Sequence, residues 1–310
     1  MLIDKYNRII DNLRISVTNE CNLRCFFCHR EGNEGTEDVL TPEDIEFIVK
    51  VAAKLGIKKI KITGGEPLIR NDIVNIVEKI SRIRGIEDIS LTTNGTLLRE
   101  KASKLRKAGL KRINISLHSL REDTYRKITG KDLLKNVLKG IEAVLKCNYE
   151  QVKVNVVVLK GINDGELYDI LNFARRQKVI LQLIELETNS RDSLMYNNYH
   201  VSFTKIRSFL RRNSVRLIKR KEQNRPVFYL KNGGIVEIVN PMEDNSFCLK
   251  CTKLRITSDA KLKPCLFSRN YIDIAEIVKD RNEKELSMAF IHVLEFRRPF
   301  FVSTKKRVSS

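Results

Sequence analysis

Through the first two-thirds of the chain, short β-branched runs alternate with stretches whose apolar residues recur every three or four positions. The runs predict strands over 13–18, 59–63, 89–93, 112–117, 152–159 and 179–185. The periodic stretches predict helices over 41–55, 73–82, 98–108, 133–146 and 166–177. Thr41-Pro42-Glu43-Asp44 reads as a helix start: a hydroxyl cap, proline in the first turn, then acids at the positive end of the dipole. Gly56 and Gly109 each follow a predicted helix and suit its C-terminal cap. Six strand–helix alternations imply parallel pairing with right-handed crossovers. The expected fold class is therefore α/β, a partial (β/α)6 TIM-like barrel with its ligand at the C-terminal ends of the strands. Cys21, Gly64-Gly65-Glu66-Pro67, Asn94 and His118-Ser119 all fall at or just beyond predicted strand ends, so they should converge.

From about residue 201 the pattern changes. A helix is expected over 203–212 and a hairpin over 227–239, turning at Asn232-Gly233-Gly234. This places a soft boundary near 200, giving a barrel domain over 1–200 and an α+β region over 201–310. No low-complexity linker marks the boundary, and no repeat of solenoid length occurs.

Composition adds a partner class. With 42% hydrophobic residues, the 310-residue chain can bury an ordinary core. Its start is charged, without the apolar stretch of a signal peptide, and no run approaches the roughly 18 apolar residues of a membrane span. A soluble cytoplasmic protein with no membrane partner is expected. Lys plus Arg total 58 against 38 acids, a formal charge of +20, which favours an anionic partner. The densest basic groups are Arg211-Arg212, Lys219-Arg220-Lys221 and Lys305-Lys306-Arg307. They lack interleaved aromatics and no RNA-binding module is recognisable, which disfavours nucleic acid.

Cysteine spacing carries the chemistry. Six of the seven cysteines form two triplets, and Cys147 stands alone. Clustering of this kind in a cytoplasmic chain points to metal rather than to disulfides. Cys21, Cys25 and Cys28, spaced C-x3-C-x2-C, can hold three corners of a [4Fe–4S] cube and leave the fourth iron open. Zinc is the alternative, because His29 follows Cys28 and Cys3His is a zinc set. Adjacent ligands, however, close a tetrahedral site awkwardly. In Gly64-Gly65-Glu66-Pro67, two glycines allow close backbone approach to a ligand, and Glu66 can accept bonds from an ammonium group. The second triplet is Cys248-x2-Cys251-x13-Cys265. A zinc knuckle would need a fourth ligand, and His200 and His292 are both distant in sequence. Three thiolates again suggest a cube with a free iron.

The first triplet together with Gly-Gly-Glu-Pro resembles the radical S-adenosylmethionine (radical SAM) enzymes. The second triplet, with Leu13-Arg14-Ile15-Ser16-Val17-Thr18 and Lys153-Val154-Asn155, resembles the molybdenum cofactor biosynthesis protein A family within them. Those enzymes are GTP 3′,8-cyclases, and the likeness runs from about residue 8 to about 268. It implies two [4Fe–4S] clusters, on Cys21, Cys25 and Cys28 and on Cys248, Cys251 and Cys265, with S-adenosylmethionine as cosubstrate. Its contacts would be Phe27 (through the backbone), Gly65, Glu66 and Ser116. GTP contacts would be Arg14, Lys59, Lys61, Thr92, Lys153, Lys253, Leu254 and Arg255. No P-loop is present, so scattered cations must hold the triphosphate. The resemblance also implies an electron donor and, as the next enzyme, cyclic pyranopterin monophosphate synthase. It singles out no catalytic side chain and leaves the oligomer open, a homodimer among the options.

Four departures from the family pattern stand out. Gln182 replaces an arginine, Glu187 replaces a methionine that packs on S-adenosylmethionine, and Lys253 replaces the first of two arginines. The family's terminal Gly-Gly is absent from Arg307-Val308-Ser309-Ser310. The rival readings are another two-cluster radical enzyme acting on tRNA or peptide, and a zinc-stabilised nucleic-acid binder.

Overall fold

The computed structural model describes residues 1–32 and 37–300 of the chain. The basic group at Lys305-Lys306-Arg307 and the terminus at Ser310 lie outside the described residues.

Twelve strands form one sheet. In chain order they are β1 (Asn12–Ser16), β2 (Lys59–Thr63), β3 (Asp88–Thr93), β4 (Arg112–Ser116), β5 (Gln151–Val157), β6 (Ile180–Ile184), β7 (Ser214–Lys219), β8 (Pro226–Leu230), β9 (Ile235–Val239), β10 (Lys253–Ile256), β11 (Lys261–Lys263) and β12 (Ile272–Asp273). Their spatial order is β12-β11-β10-β1-β2-β3-β4-β5-β6-β9-β8-β7. The six predicted strands pair in parallel and in sequence, β1 through β6. The hairpin pairs antiparallel as expected, but its β9 also lies parallel to β6, while β10 lies parallel to β1. Both edges of the barrel are thus lengthened by strands of the second region, and one sheet runs through the whole chain. The outermost strands β12 and β7 do not pair with each other, so the barrel stays open.

The helices α1 (Pro42–Lys54), α2 (Ile73–Ser81), α3 (Leu98–Lys107), α4 (Glu122–Thr129), α5 (Leu134–Leu145) and α6 (Leu167–Arg176) fill the crossovers. Thr41 makes the expected start of α1: its hydroxyl accepts from the Asp44 amide, and Asp44 accepts from the Thr41 amide. The helix α4 went unread in the hydrophobic pattern. Its eight residues bury only Tyr125, Ile128 and Thr129.

Strand alternation sorts the side chains into two faces. Leu13, Ile15, Ile60, Ile62, Leu91, Ile113, Ile115, Val154, Val156, Leu181, Leu183, Ile238, Leu254 and Ile256 join one buried apolar core with the helices. The intervening residues Arg14, Lys61, Thr92, Asn114, Lys153, Gln182, Glu237 and Arg255 therefore face the lumen. Register aligns Arg255, Arg14, Lys61, Ser90 and Arg112 on one row across five strands. No helix among the described residues is long and apolar enough to cross a membrane.

Candidate active site

The loop after β1 carries the first triplet, and it is laced to the loop after β2. The Gly65 amide donates to the Thr18 carbonyl at 2.7 Å, and the Glu66 amide to the Glu20 carbonyl at 2.7 Å. A Cβ on Gly65 would stand 2.1 Å from the Glu20 oxygen, so no larger residue permits this approach. The thiols are shaped by backbone donors: Leu23 N–H points at Cys21 Sγ (3.4 Å) and Arg30 N–H at Cys28 Sγ (3.3 Å). Burial pushes all three thiols up, Cys25 to about 12, and the neighbouring Cys21 and Cys28 add to the effect at Cys25. Three crowded sulfurs that resist ionising together are a donor set that a multivalent cationic centre would relieve. The arrangement fits an iron–sulfur cluster held by three thiolates.

Around this loop stand the residues the resemblance assigned to S-adenosylmethionine. Phe27 meets His118 edge-on, with ring centroids 5.1 Å apart. His118, with φ of 60°, sits just beyond Ser116 at the end of β4, and its Nδ1 accepts from the Val157 amide. Burial lowers its pKa to about 4, so it is neutral, with the proton on Nε2. Glu66 is wholly buried and already occupied. It accepts from Thr93 Oγ1 (2.6 Å) and from the amides of Asn94 (2.6 Å) and Leu68 (3.0 Å). The expected ammonium acceptor thus also ties β2 to β3.

The second triplet is assembled from three places. Cys248 lies in the short helix Asn245–Leu249, Cys251 just before β10, and Cys265 just after β11. All three line one cavity of about 350 Å³, with Arg8, Phe267, Phe296 and Arg297 among its walls. A buried carboxylate, Asp4, receives Nε of both Arg8 and Arg297 at 2.7 Å. The remaining guanidinium donors hold the cysteine loops by their carbonyls. Arg8 reaches Cys248 (2.8 Å), and Arg297 reaches Cys251 (2.7 Å), Lys253 (2.6 Å) and Pro264 (3.0 Å). Burial pushes the Cys251 thiol up, but the charges of Arg297 and Lys253 more than offset it and leave the pKa lowered. A lowered thiol beside cations in a shared cavity suits a metal cluster. Neither distant histidine completes a zinc set. His200 pairs with Glu185 (2.8 Å) and stacks on Tyr196, and His292 ends the exposed end of the helix Glu283–His292. The sequence alone did not flag Asp4, Arg8 or Arg297, because nothing local marks a partner nearly 300 positions away.

Between the two triplets lies a charged lumen. Arg14 pairs with Glu31 (3.1 Å), as does Arg255 (2.7 Å). Lys253 pairs with Glu222 (2.9 Å), and Lys153, Arg225 and Arg220 all converge on Glu237. Burial opposes ionisation of Glu31 and Glu237, yet the adjacent cations hold each at about 2. Lys61, in contrast, has no hydrogen-bond or ion-pair partner among the described residues. Burial lowers its pKa well below the ordinary range, and Arg14, Lys253, Arg112 and Arg225 lower it further. Thr92 Oγ1, Asn155 Oδ1 and Arg14 Nε are buried without partners. Unspent polar atoms beside an unpaired lysine, whose ammonium form a nearby anion would favour, are what a polyanionic ligand would satisfy. Glu187 sits near Arg255 and Arg14, but burial dominates and raises it to about 7.

Two residues of the expected set stand apart. Lys59 begins β2 and spends its ammonium on Asp11 (2.7 Å), and the Leu254 side chain is wholly buried in the core. Leu254 can offer the lumen only its backbone. The acids Glu31, Glu222 and Glu237 were not anticipated, since isolated glutamates in a charged sequence look like surface residues.

Known proteins match this chain along nearly its full length. The radical SAM superfamily pattern covers residues 15–174, and the pattern described as Molybdenum Cofactor Synthesis C covers 179–301. A "Probable GTP 3′,8-cyclase" of Methanothermobacter marburgensis is 44% identical over 302 residues, 97% of this chain and 99% of that protein. One of the same description from Thermococcus kodakarensis is 42% identical over 309 residues, 97% of this chain and 100% of that protein. Among solved structures, Streptococcus suis SuiB bound to precursor peptide SuiA superposes with a TM-score of 0.68 at 14% identity, covering 97% of this chain and 77% of that one. Native anSMEcpe with bound AdoMet gives 0.62 at 18%, covering 91% and 82%. These structural neighbours share the fold, whereas the sequence relatives share the two cysteine-bearing regions in one continuous chain. The chain belongs to the radical SAM superfamily and, within it, to the GTP 3′,8-cyclase family.

Proposed function

We propose that this protein cyclises GTP to (8S)-3′,8-cyclo-7,8-dihydroguanosine 5′-triphosphate, the first step of molybdenum cofactor biosynthesis. The observation that carries the reading is a lumen with an unpaired lysine, Lys61, lying between two cysteine triplets, in a chain 44% identical to a cyclase relative along its length. Superfamily membership implies a [4Fe–4S] cluster and S-adenosylmethionine. When bound, they would supply a 5′-deoxyadenosyl radical that takes hydrogen from C3′ of GTP, after which C3′ bonds to C8 of guanine and one further electron with a proton completes the 7,8-dihydro ring.

The chain's own residues bind, orient and shield. Cys21, Cys25 and Cys28 would hold the first cluster, and the Gly65 backbone, the Phe27 backbone, Ser116 and Glu66 would frame S-adenosylmethionine. Cys248, Cys251 and Cys265 would hold a second [4Fe–4S] cluster near the guanine. Arg14, Lys61, Lys153, Lys253 and Arg255 would clamp the triphosphate, with Thr92 alongside, Lys59 at the far end of its strand and Leu254 contributing backbone. Fixing the phosphates fixes C3′ against the adenosyl group, where orientation contributes most to the rate. Gln182 and Lys253 leave fewer guanidinium forks than the family pattern: Lys253 offers a point charge and Gln182 a neutral amide where the pattern has bidentate contacts. The division near residue 200 is then one of labour, with 1–200 making the radical and 201–310 selecting the base. An external donor supplies both electrons, and the product passes in the cytoplasm to cyclic pyranopterin monophosphate synthase.

Anaerobic incubation of the reconstituted protein with GTP, S-adenosylmethionine and a reductant tests this. Deoxyadenosine should form with GTP and in step with the cyclised product. Deoxyadenosine release indifferent to GTP, with no cyclised nucleotide, would sink the assignment. Cys265→Ala should lower iron from about eight to about four atoms per chain and abolish the cyclised product.

A further inference from the structure

The cations that face the lumen are almost all spoken for by carboxylates, and one of those carboxylates is unlike the rest. Glu222 and Glu237 sit within the second region, close to the lysines and arginines they neutralise. Glu31 instead comes from the loop of the first triplet, three residues beyond Cys28. A single oxygen, Oε2, bridges Arg14 Nη1 and Arg255 Nη1. Those arginines are register partners on β1 and β10, so Glu31 joins the cysteine loop to both. Beside the bridge lie donors without partners: Lys61 Nζ, on the same row, and Arg14 Nε.

We propose that Glu31 is a resident counter-anion that the triphosphate of GTP displaces from Arg14 and Arg255. This rests on the GTP reading above and assigns Glu31 a place in it. A phosphate arriving at Lys61 and Arg14 Nε lands next to a carboxylate, and like charges a few ångströms apart in a water-poor lumen repel strongly. Both Nη1 donors must be released before the two guanidiniums can turn their forks to phosphate. A triphosphate carries several negative charges against one for Glu31, so it wins the exchange, whereas a nucleoside has nothing to exchange with. Glu31 thus sets a threshold that only a polyanion crosses. It offsets part of the charge of the arginine pair when no substrate is present.

Titration calorimetry on anaerobically reconstituted protein, comparing the unsubstituted chain with Glu31→Gln, decides the matter. Glutamine keeps the shape and removes the competing charge. GTP and inorganic tripolyphosphate should each bind the variant about tenfold tighter, and guanosine should bind both proteins alike. Glu31→Asp, which keeps the charge but is too short to bridge both arginines, should fall between the two. Iron content and thermal midpoint of each variant establish that the fold is retained. GTP binding that is weaker or unchanged in Glu31→Gln would overturn the proposal, since Glu31 would then be orienting the arginines. Equal tightening for guanosine would also overturn it, because the effect would not run through phosphate. If the unsubstituted protein binds tripolyphosphate but not GTP, the cyclase reading fails while the exchange at Arg14 and Arg255 stands.

Discussion

Glu66 sits with no exposure between the loops that follow β2 and β3, held by a threonine hydroxyl and two backbone amides. Burial raises its pKa from 4.5 to about 7 despite those donors. Between these values the folded chain holds a proton that the unfolded chain has released. Stability therefore falls as pH rises through that window and levels off above about 7. A shift of this size corresponds to about 3 kcal/mol. Glu66→Gln should be less stable below about pH 5, because the Asn94 amide loses an acceptor, and the deficit should shrink as pH rises and the buried Glu66 carboxylate ionises. Its pH slope between 4.5 and 7.5 should nevertheless vanish, and chemical denaturation at several pH values measures both effects. From the sequence, Gly-Gly-Glu-Pro was legible as a close-approach turn near a ligand only in company with C-x3-C-x2-C upstream, since alone it reads as an ordinary turn. That Glu66 would be inward and saturated was not legible, since a carboxylate's environment depends on strands that its neighbours do not reveal. The same holds for Glu31, Glu222 and Glu237, whose partners are cations on other strands.

At the scale of elements, the alternation that predicted six parallel strands also chose which residues face the lumen. Arg14 between Leu13 and Ile15, and Lys61 between Ile60 and Ile62, could be placed inward from the pattern alone. The proline, hydroxyl and acids at Thr41 likewise fixed the start of α1, because capping is a local interaction. The joining of β9 and β10 to opposite edges of the sheet was not readable, for pairing across such separations leaves no local signature. Nor was the clasp in which Arg8 and Arg297 share Asp4 and hold the loops of Cys248, Cys251 and Cys265. That clasp makes an element-level prediction. Arg297→Met keeps most of the side-chain bulk but leaves the carbonyls of Cys251, Lys253 and Pro264 without donors. It should cost about 3 kcal/mol of stability. Iron should fall from about eight atoms per chain to about four, with the first site still loaded. Metal analysis and electron paramagnetic resonance of the reduced protein distinguish loss of the second cluster from general unfolding. Arg297→Lys should restore part of the charge but few of the contacts, and so rescue poorly.

Over the whole molecule the formal charge is +20, while most cations of the lumen are locally paired. The surplus therefore lies mainly outside the site, where it draws a polyanionic substrate inward over distances set by screening. Raising ionic strength from 0.05 to 0.3 M should increase KM for GTP by about three- to tenfold and change kcat little, which steady-state kinetics at fixed pH can measure. Loss of kcat with KM constant would place the charge effect on the chemistry instead. The clasp has one more consequence, which concerns time. Arg297 is made nearly 300 residues after Asp4 and Arg8, so the wall around the second triplet closes only after every strand of the sheet has been synthesised. The loop of Cys21, Cys25 and Cys28 is laced to the early loop after β2, although its Glu31 also waits for Arg255 on β10. Formation of the second site should accordingly come late, its walls meeting only once Arg297 reaches Asp4.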